Sequence, residues 1–397
     1  MKHVLSLSTL YPNPANPRFG SFVARSLEGL ARRGAKTGDW KVTVVNPIGV
    51  PPIALGRYRS LGELDPVSHE RGMAIYRPQF TLIPKIGARR NATAIAKAVL
   101  PLATTIHREE PVDLIDAQFF FPDGPAAAIV AQQLGLPFSI KARGSDISLW
   151  GEQDFARQQM LDAADEAAGL LAVSGALKRD MVALGMAENK IEVHYTGLDR
   201  DRFRPLGHTQ LRAQLGQQLG FDLPATVPML ASVGALIERK GQDRVISALP
   251  SLPEARLVLV GKGDDKARLQ KLARDLGVDE RVHFAGSVDH DLMPLILSAA
   301  DAMVLPTESE GLANAWVESI ACGTPVVTTD VGGARELINN DIAGRLIEPT
   351  PEAVVEAVQD LLAAPPDPQE VAASAERFSW ENHAEELAEY YERLVSG

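Results

Sequence analysis

The sequence holds a single cysteine, Cys322, among its 397 residues. One cysteine excludes an internal disulfide and a cysteine-rich metal site, and it favours a reducing compartment. No stretch approaches the roughly 18 uninterrupted apolar residues of a membrane-spanning helix, so any membrane contact is expected to be peripheral. The opening stretch MKHVLSLSTLYP breaks into Thr, Tyr and Pro before a signal segment could form, and it is interpreted as the first strand. We therefore expect a cytoplasmic protein.

Several motifs that mark common catalytic sites are also missing. The eight histidines include no pair four residues apart, and no Gly-x-Ser-x-Gly sequence occurs, so neither a zinc enzyme nor the commonest hydrolase of this fold class is supported. Gly261-Lys262-Gly263 begins like a dinucleotide fingerprint, but Lys266 stands where the third glycine is needed. Asp199-Arg200-Asp201 has a spacing that binds Mg²⁺ with a diphosphate, yet a solvated turn in a linker is the favoured interpretation. No metal or cofactor is expected.

The net charge of −11 is unevenly distributed along the chain. Residues 1–196 hold 22 Lys and Arg against 19 Asp and Glu, a net charge of +3, whereas the remainder holds 18 against 32, a net charge of −14. This asymmetry supports two domains, and the acidic half makes nucleic acid an unfavourable partner. The mildly basic first half favours a contact with anionic lipid headgroups.

Short apolar runs alternate with amphipathic helical stretches in both halves of the chain. Strands alternating with helices predict parallel sheets covered on both faces, and two such series with a crossing near Gly197 predict two doubly wound domains. The predicted strands are Lys2–Ser8, Lys41–Asn46, Ala74–Arg77, Val112–Ala117, Phe138–Ala142, Leu170–Val173, Ile191–Tyr195, Met229–Val233, Ala255–Val260, Val282–Phe284, Met303–Leu305 and Val326–Thr329. A helix over Asn91–Arg108 is expected to face the core with a solvated basic side, and to be interrupted at Pro101.

The stretch Leu305–Val327, LPTESEGLANAWVESIACGTPVV, carries charge at the mouth of a strand-loop-helix-strand unit. Ligands of open parallel sheets bind outside the carboxyl ends of the strands, where helix N-termini attract anions. Glu310 lies in the loop and Glu318 lies in the helix, so both carboxylates can face one ligand. Two solvated glutamates are the alternative when this stretch is taken alone.

Cations follow another strand of the same domain. Arg239-Lys240-Gly241 comes after the strand Met229–Val233, and cations at the carboxyl end of a strand suit a diphosphate. A surface turn is an equal alternative. In the first domain, Gly20-Ser21 opens a helix after the first strand, which is a weak phosphate-binding signal. Together with the acidic loop, these residues describe a pocket for a sugar attached to a diphosphate.

Several long stretches, in order, resemble the retaining glycosyltransferases of family 4, also called group 1. SEGLANAWVESIACGTPVV resembles the Glu-x7-Glu signature of that family, VGALIERKGQDRVISAL its Gly-Arg-Leu to Lys-Gly segment, and VGKGDDKARL its Gly-x-Gly loop. LLAVSGALKRDMVALG and FSWENHAEELAEYYERL resemble the end of its first domain and its closing helix. The resemblance implies the α/β GT-B fold, with two Rossmann-like domains facing across a cleft. It further implies an acceptor-side domain over residues 1–197, which the closing helix 379–397 rejoins, and a nucleotide-sugar domain over residues 198–378.

The resemblance also implies a role for each matching residue. Glu318 would accept hydrogen bonds from the ribose, and Glu310 with the amides of Gly311, Leu312, Ala313 and Asn314 would hold the donor sugar. Lys240 would neutralise the departing diphosphate, with Gly20 and Ser21 contributing from the first domain. The remaining donor-side positions are Gly234, Gly263 and Val288. The retaining outcome needs no protein nucleophile in this family, and preorganised positive charge lowers the barrier as charge develops on the leaving group.

Three departures from the family pattern affect these assignments. Ala235 stands where an arginine is expected, so Arg239 would supply the second phosphate cation. Arg143 replaces the histidine of a His-Gly-Ser-Asp loop; because a guanidinium stays charged, Arg143 is expected to bind an anionic group of the acceptor or donor. Tyr195-Thr196-Gly197-Leu198-Asp199 stands where the family has Pro-Asn-Gly-Val-Asp, so no role of that asparagine is carried over to this chain.

The sequence therefore predicts a retaining hexosyltransferase that uses a UDP- or GDP-sugar and a glycan or lipid-linked acceptor, in cell-surface polysaccharide or glycolipid synthesis. Peripheral contact with the inner face of the membrane, through the N-terminal domain, is expected. The alternatives are a nucleotide-sugar epimerase of the same fold and a non-catalytic protein that binds sugar nucleotides. An inverting transferase with Asp146 as the base is the mechanistic alternative.

Overall fold

The computed structural model describes residues 1–17, 19–83, 87–289 and 291–396. The chain forms two compact units. The first unit comprises Met1–Gly197 with Trp380–Gly397, and the second comprises Leu198–Ser379.

The first unit is built on a sheet that is parallel except at one edge strand, with helices on both faces. Its strands are β1 (Lys2–Leu7), β2 (Trp40–Val45), β3 (Ile48–Val50), β4 (Val67–Glu70), β5 (Met73–Tyr76), β6 (Gln79–Thr81), β7 (Leu114–Ala117), β8 (Phe138–Ala142), β9 (Gly169–Ala172) and β10 (Ile191–Val193). Its helices before the crossing are α1 (Ser21–Thr37), α2 (Arg57–Gly62), α3 (Asn91–Glu109), α4 (Asp123–Leu134), α5 (Ser145–Ser148), α6 (Asp154–Glu166) and α7 (Gly175–Leu184).

Strand order in this sheet reverses between β1 and β7. The order across the described sheet is β10-β9-β8-β7-β1-β2-β5-β4, and β4 is antiparallel to its neighbour β5. The chain moves from β1 toward β2 and later returns to the other side of β1 to add β7. Such a reversal leaves a crevice outside the carboxyl ends of the two strands, where ligands of open α/β sheets bind. β3 and β6 pair separately as a short parallel ribbon.

Alternate residues of β1 enter different cores. Leu5 and Leu7 of β1 pack with Ile115 and the α3 side chains, whereas Val4 packs with Leu27 of α1 on the opposite face. Continuous apolar strands arise because both faces of a parallel sheet are buried.

Helix α3 continues through Pro101, so the predicted interruption at this proline is wrong. Proline removes one backbone donor and crowds the preceding turn, which usually breaks a helix. Here the apolar face continues on both sides of the proline, with Val99 and Ala103 fully buried, while Pro101 itself is exposed. The helix faces the core as expected, and its Lys97 lies on the exposed side.

The second unit has a complete doubly wound sheet. Its strands are β11 (Met229–Val233), β12 (Arg256–Val260), β13 (Val282–Gly286), β14 (Ala302–Leu305), β15 (Val326–Thr329) and β16 (Gly344–Ile347). Its helices are α8 (His208–Leu219), α9 (Gln242–Ala248), α10 (Lys266–Asp275), α11 (Met293–Ala299), α12 (Asn314–Ala321), α13 (Ala334–Leu337), α14 (Pro351–Ala363) and α15 (Pro368–Ala373). The strands lie in the order β13-β12-β11-β14-β15-β16 and are all parallel, so the order reverses between β11 and β14.

The last helix, α16 (Trp380–Ser396), belongs to the first unit and packs along α1. The ring of Tyr391 meets the ring of Trp40 edge-on at 5.6 Å, and Arg33 of α1 pairs with Glu385 at 2.8 Å. His383 accepts or donates a 2.6 Å hydrogen bond with Ser26 and stacks on His194 at 4.1 Å. Residues from the far end of the chain thus complete the core of the first unit.

Candidate functional site

The two reactive side chains predicted for the second unit meet at the reversal of its strand order. Lys240 follows β11 and Glu310 follows β14, the neighbouring strands at the reversal. The Lys240 ammonium forms an ion pair with Oε1 of Glu310, and the two side chains are only 11% and 15% exposed. This placement matches the position at which open α/β sheets bind their ligands.

The protonation of Lys240 is sensitive to its surroundings. Burial, with a smaller contribution from the positive charge of Arg239, lowers the pKa of Lys240 to about 8. Both effects disfavour the charged ammonium. The negative charge of the neighbouring Glu310 carboxylate acts in the opposite direction and favours the ammonium. The negative charge of an anionic ligand would act in the same direction as Glu310 and favour the charged ammonium further.

Arg239 is fastened to the loop that carries Glu310. Its Nη1 donates to the carbonyl of Ser309 at 2.7 Å, while its own carbonyl accepts from the Glu308 amide at 2.8 Å and from Thr307 Oγ1 at 3.0 Å. The two loops that follow β11 and β14 are therefore held together by backbone as well as by the Lys240 ion pair. Arg239 and Lys240 therefore both belong to this pair of joined loops.

A third loop, which was not predicted to belong to the site, contacts the backbone at Glu310 and Gly311. Gly332 and Gly333 follow β15, and the amide of Gly333 donates to the Gly311 carbonyl at 2.6 Å. A Cβ on Gly332 would lie 1.8 Å from the Glu310 carbonyl oxygen, and the φ of Gly332 is 56°. Only glycine fits this contact and this backbone conformation. The signal available in the sequence was the Gly-Gly pair in the loop after an apolar strand.

Gly234 directly follows β11, and Gly263 lies in the loop after β12, the next strand at the same edge of the sheet. The Gly234 amide donates to the Val260 carbonyl at 2.9 Å, where the β11–β12 ladder ends. Gly263 packs against backbone, because a Cβ there would lie 2.1 Å from the Leu236 carbonyl oxygen. Val288 follows β13 and is half-buried. The three positions follow β11, β12 and β13, which are neighbours in the sheet.

The other predicted donor residues lie at the start of α12. Ala313 precedes the helix without a side-chain cap, and Gly311, Leu312 and Ala313 are half-buried while Asn314 is exposed. Uncapped amides at a helix start favour an anion or a polar ligand. Glu318 lies one turn further along α12 and is half-buried. Its charge is a minor cause, after burial, of the raised pKa of Cys322, which is about 12.

In the first unit, Asp146 has a structural environment. Its side chain is fully buried, and its oxygens accept from the amides of Phe120 at 2.9 Å, Arg143 at 2.9 Å, Gly144 at 2.8 Å and Ile147 at 3.2 Å. Burial raises the pKa of Asp146 in spite of these hydrogen bonds. The carboxylate joins the loops after β7 and β8, and its oxygens are occupied by backbone donors.

Arg143 is held in place by residues that the sequence analysis did not identify. Its Nε donates to the Gln118 carbonyl at 3.2 Å, its Nη2 bonds the Gln118 side chain, and its guanidinium lies over the Phe22 ring at 5.1 Å. Within the described residues, Nη1 has no hydrogen-bond partner. Burial lowers the pKa of Arg143 to about 10, so the group remains a cation at neutral pH. Gln118 directly follows β7, and that position was the available signal.

Gly20 and Ser21 lie where the loop after β1 enters α1. Gly20 adopts a left-handed conformation with φ 64°, and Ser21 is exposed at the first helical position. The same loop is attached to the start of α4, because Thr9 donates through its amide and its hydroxyl to Asp123, both at 2.8 Å. Gly20, Ser21 and Arg143 thus all follow strands of the first unit's own sheet, Gly20 and Ser21 at the start of α1 and Arg143 in the loop after β8.

Two observations concern metals and membranes. Among residues 1–17, 19–83, 87–289 and 291–396, no group of three His, Cys, Asp or Glu side chains is placed to hold a metal ion. Over the same residues, no helix combines the length and the apolar character required to cross a bilayer.

Two family models match this chain, and each covers most of one unit. Residues 23–202 match the model of Glycosyltransferase Family 4, and residues 220–378 match the model of Glycosyl transferases group 1. The chain is 28% identical over 361 residues to the teichuronic acid biosynthesis glycosyltransferase TuaC of Bacillus subtilis, covering 89% of this chain and 88% of TuaC. It is 34% identical over 221 residues to a GDP-mannose-dependent phosphatidylinositol monomannoside mannosyltransferase of Mycolicibacterium smegmatis, covering 51% of this chain and 55% of that protein.

Solved structures with the same fold include carbohydrate enzymes. Sucrose-phosphate synthase from Thermosynechococcus elongatus superposes with a TM-score of 0.75 at 20% identity, covering all of both chains. HepE of Anabaena in complex with UDP superposes with a TM-score of 0.73 at 22% identity, covering 99% of this chain and all of HepE. Together with the two doubly wound units, these likenesses show the α/β GT-B fold predicted from the sequence. The chain belongs to the family 4, or group 1, glycosyltransferases.

Proposed function

We propose that this glycosyltransferase is a retaining hexosyltransferase that takes its sugar from a UDP- or GDP-sugar. The observation that carries the proposal is the Lys240–Glu310 ion pair at the strand reversal, with Arg239 fastened beside it. The leaving nucleotide is a diphosphate, and preorganised cations stabilise the negative charge that develops on it. HepE in complex with UDP-glucose and the GDP-mannose-dependent relative support a nucleotide-sugar donor.

Each donor-side residue then has a chemical task. Lys240 and Arg239 neutralise the diphosphate in place of a metal ion, and Glu310 with the amides of Gly311 to Asn314 holds the hydroxyls of the sugar. Glu318 accepts from the ribose hydroxyls, and Gly234, Gly263 and Val288 border the nucleotide. Gly20 and Ser21 add amide and hydroxyl donors for the phosphates. The geometry of the joined loops supports the assignments in the second unit, because it brings Lys240, Arg239 and Glu310 together.

The acceptor is proposed to be a glycan or a lipid-linked glycan, used in cell-surface polysaccharide or glycolipid synthesis. The teichuronic acid relative and the phosphatidylinositol mannosyltransferase support this choice. Arg143 binds an anionic group of the acceptor or donor through its Nη1, which has no partner among the described residues. The buried setting of Asp146 argues against the inverting mechanism in which it acts as the base.

Glu310→Gln, Glu318→Gln and Lys240→Ala test the donor site. Purified variants are assayed with UDP- and GDP-hexoses for nucleotide release in the presence of lipid-linked acceptors, and for donor binding by calorimetry. We expect at least a tenfold loss of kcat/KM in each variant, about 1.4 kcal/mol. Wild-type turnover in all three would refute the site. An epimerase would alter the donor with no acceptor present, whereas a non-catalytic protein would bind the donor and release no nucleotide.

We further propose that the protein acts at the inner face of the membrane, touching it through the first unit. Ile53 and Leu55 follow β3 and are 76% and 73% exposed, and Ile83 follows the paired strand β6 at 41% exposure. Exposed Arg90, directly before α3, and exposed Lys97 on α3 supply charge for anionic headgroups. The test is sedimentation with vesicles of phosphatidylglycerol or of phosphatidylcholine alone. Ile53→Ser/Leu55→Ser should abolish binding to the anionic vesicles, and unchanged binding would contradict the proposal.

A further inference from the structure

A pocket of about 410 Å³ lies within the first unit, between the loop after β1, the helix α1 and the turn that joins β4 to β5. Its volume falls in the range of about 300–1,000 Å³ that is usual for small-molecule sites. Four residues of α1 line it with helical spacing, namely Ser21, Ala24, Arg25 and Glu28. Apart from Ser21, none of these residues belongs to the candidate site described above.

The loop that forms one wall of the pocket is closed on itself. Gly20 lies against the Leu10 carbonyl so closely that a Cβ would be 1.7 Å from its oxygen. Inside the loop, the side-chain oxygen of Asn13 accepts from the amides of Ala15 and Asn16, both at 3.1 Å. The prolines of this wall, Pro12, Pro14 and Pro17, fix backbone angles and present flat apolar surface. The wall is therefore formed before a ligand arrives.

The opposite wall carries an ion pair between a buried carboxylate and an exposed cation. The Glu28 side chain is 9% exposed and pairs with Arg71, whose side chain is 66% exposed. Arg71 adopts φ 50°, a left-handed conformation that is uncommon for a residue with a side chain. Tyr11 lies beside them and is only 1% exposed. Burial also raises the pKa of Tyr11, so its phenol stays protonated.

The charges lining the pocket balance. Arg25 and Arg71 stand against Glu28 and Glu70, so the lining residues carry no net charge. A phosphate would meet the buried carboxylate of Glu28, and a cation would meet both arginines. A neutral ligand rich in hydroxyls can donate to the carboxylates and accept from the guanidinium groups, which gives charge-assisted hydrogen bonds on both sides. The apolar faces of a sugar ring suit the proline wall.

We propose that this pocket binds one uncharged pyranose ring of the acceptor glycan, with the Glu28–Arg71 pair as the element that selects for it. The inference rests on the proposed function, because it takes the protein to act on a glycan. Arg71 and Glu28 contact the ring hydroxyls, and Pro12, Pro14 and Pro17 form the apolar side. Apart from Ser21, its lining residues are not among those proposed to bind the donor.

The first experiment needs no donor. Methyl glucoside, methyl galactoside and methyl mannoside are titrated into the full-length protein and followed by saturation-transfer NMR. We expect at least one glycoside to bind the wild type, and Arg71→Gly to bind it at least tenfold more weakly. Glycine relieves the left-handed backbone at position 71, so loss of binding in this variant is separable from loss of fold. Glu28→Gln/Arg71→Gly, which leaves no unpaired buried charge, should show the same loss.

Glu63→Gln is the matched control, because it removes one carboxylate from the exposed Arg59–Glu63 pair of the same unit. It should bind the glycoside as the wild type does. The proposal is overturned if no methyl glycoside binds, if Arg71→Gly and the double variant bind as well as the wild type, or if inorganic phosphate competes for the pocket. In transfer assays, the Arg71→Gly substitution should raise the acceptor KM at least tenfold and leave the donor KM unchanged. Failure of the proposed function would appear separately, as a wild type that neither binds nor turns over any nucleotide sugar.

Discussion

Lys240 and Glu310 form an ion pair although 70 positions separate them in the sequence, because β11 and β14 are neighbours where the strand order reverses. Both side chains are mostly buried, so each charge is stabilised chiefly by the other. Removing one member leaves the second charge without its partner, which is costlier than removing both.

This dependence can be measured by a double-mutant cycle. Lys240→Ala alone should lower the free energy of unfolding by about 1–2 kcal/mol, a value reduced for the remaining solvent exposure. Lys240→Ala/Glu310→Gln should be more stable than the sum of the two single changes predicts, by about 1 kcal/mol. Urea denaturation of the four proteins gives the coupling. Strictly additive effects would show that the two groups do not interact in solution.

Donor binding should depend on pH through Lys240. The pKa of this ammonium is about 8 in the free protein. Lys240 is therefore positively charged below pH 8, and the charge that pairs with the diphosphate is lost as the pH rises above 8. Affinity for UDP or GDP should therefore fall by up to tenfold per pH unit above pH 8. Calorimetric titrations from pH 6 to pH 10 test this. Lys240→Arg retains charge across the range and should flatten the profile; a wild-type profile equally flat would contradict the assignment.

Gly332 should be required for the site and not merely for the fold. In Gly332→Ala the new Cβ would strike the Glu310 carbonyl and displace the loop, so donor affinity should fall at least tenfold. Gly277→Ala is the matched control, since Gly277 has φ 65° but has no neighbour within 4 Å of the added carbon. Both variants should lose about 1 kcal/mol of stability from the backbone strain. Equal donor affinity in the two variants would show that the contact does not position Glu310.

Stability should also depend on pH through Asp123. Burial raises the pKa of Asp123 to about 7, well above its value in the unfolded chain. The folded state then binds the proton more tightly, so this group lowers stability as the pH rises from about 4 to 7, by up to about 1.4 kcal/mol per unit. Asp123→Asn removes the titration and should be more stable relative to the wild type at pH 8 than at pH 5. Thermal unfolding across this range provides the measurement, and parallel curves would contradict the prediction.

Asp146 should act on structure and not on the stereochemistry of transfer. Asp146→Asn replaces one accepting oxygen with a donor facing backbone amides, which should cost about 1–3 kcal/mol of stability. Residual product should keep the anomeric configuration of the donor, as seen by proton NMR. A product of inverted configuration from the wild type would reinstate Asp146 as a base.

Local patterns in the sequence were sufficient for most of the parallel strands. Each buried strand is a short apolar run followed by a loop and an amphipathic helix, so β1, β8, β11 and β12 could be located within a residue or two. The edge of the sheet that carries the site followed from that alternation. Glu310 and Lys240 were predicted as site residues because they stand in the loops that follow two such runs.

Tertiary context decided the rest. Nothing local predicts that α3 continues through Pro101, because the packing of Val99 and Ala103 on either side offsets the missing hydrogen bond. The β3–β6 ribbon needs two segments about 30 positions apart to pair, and Gln118 acquires its role only when Arg143 is placed over Phe22. Likewise, Asp146 looked available in the sequence and is enclosed by amides in the fold.

The position of α16 in the first unit has a consequence for biosynthesis. All of the second unit, Leu198–Ser379, is synthesised before Trp380 leaves the ribosome. The second unit can therefore finish folding first, while the surface of α1 around Ser26 and the ring of Trp40 await their partners His383 and Tyr391. Although most of it is synthesised first, the first unit is the last to be completed, and nascent chains halted before residue 380 would leave the α1 side chains that α16 covers exposed to chaperones.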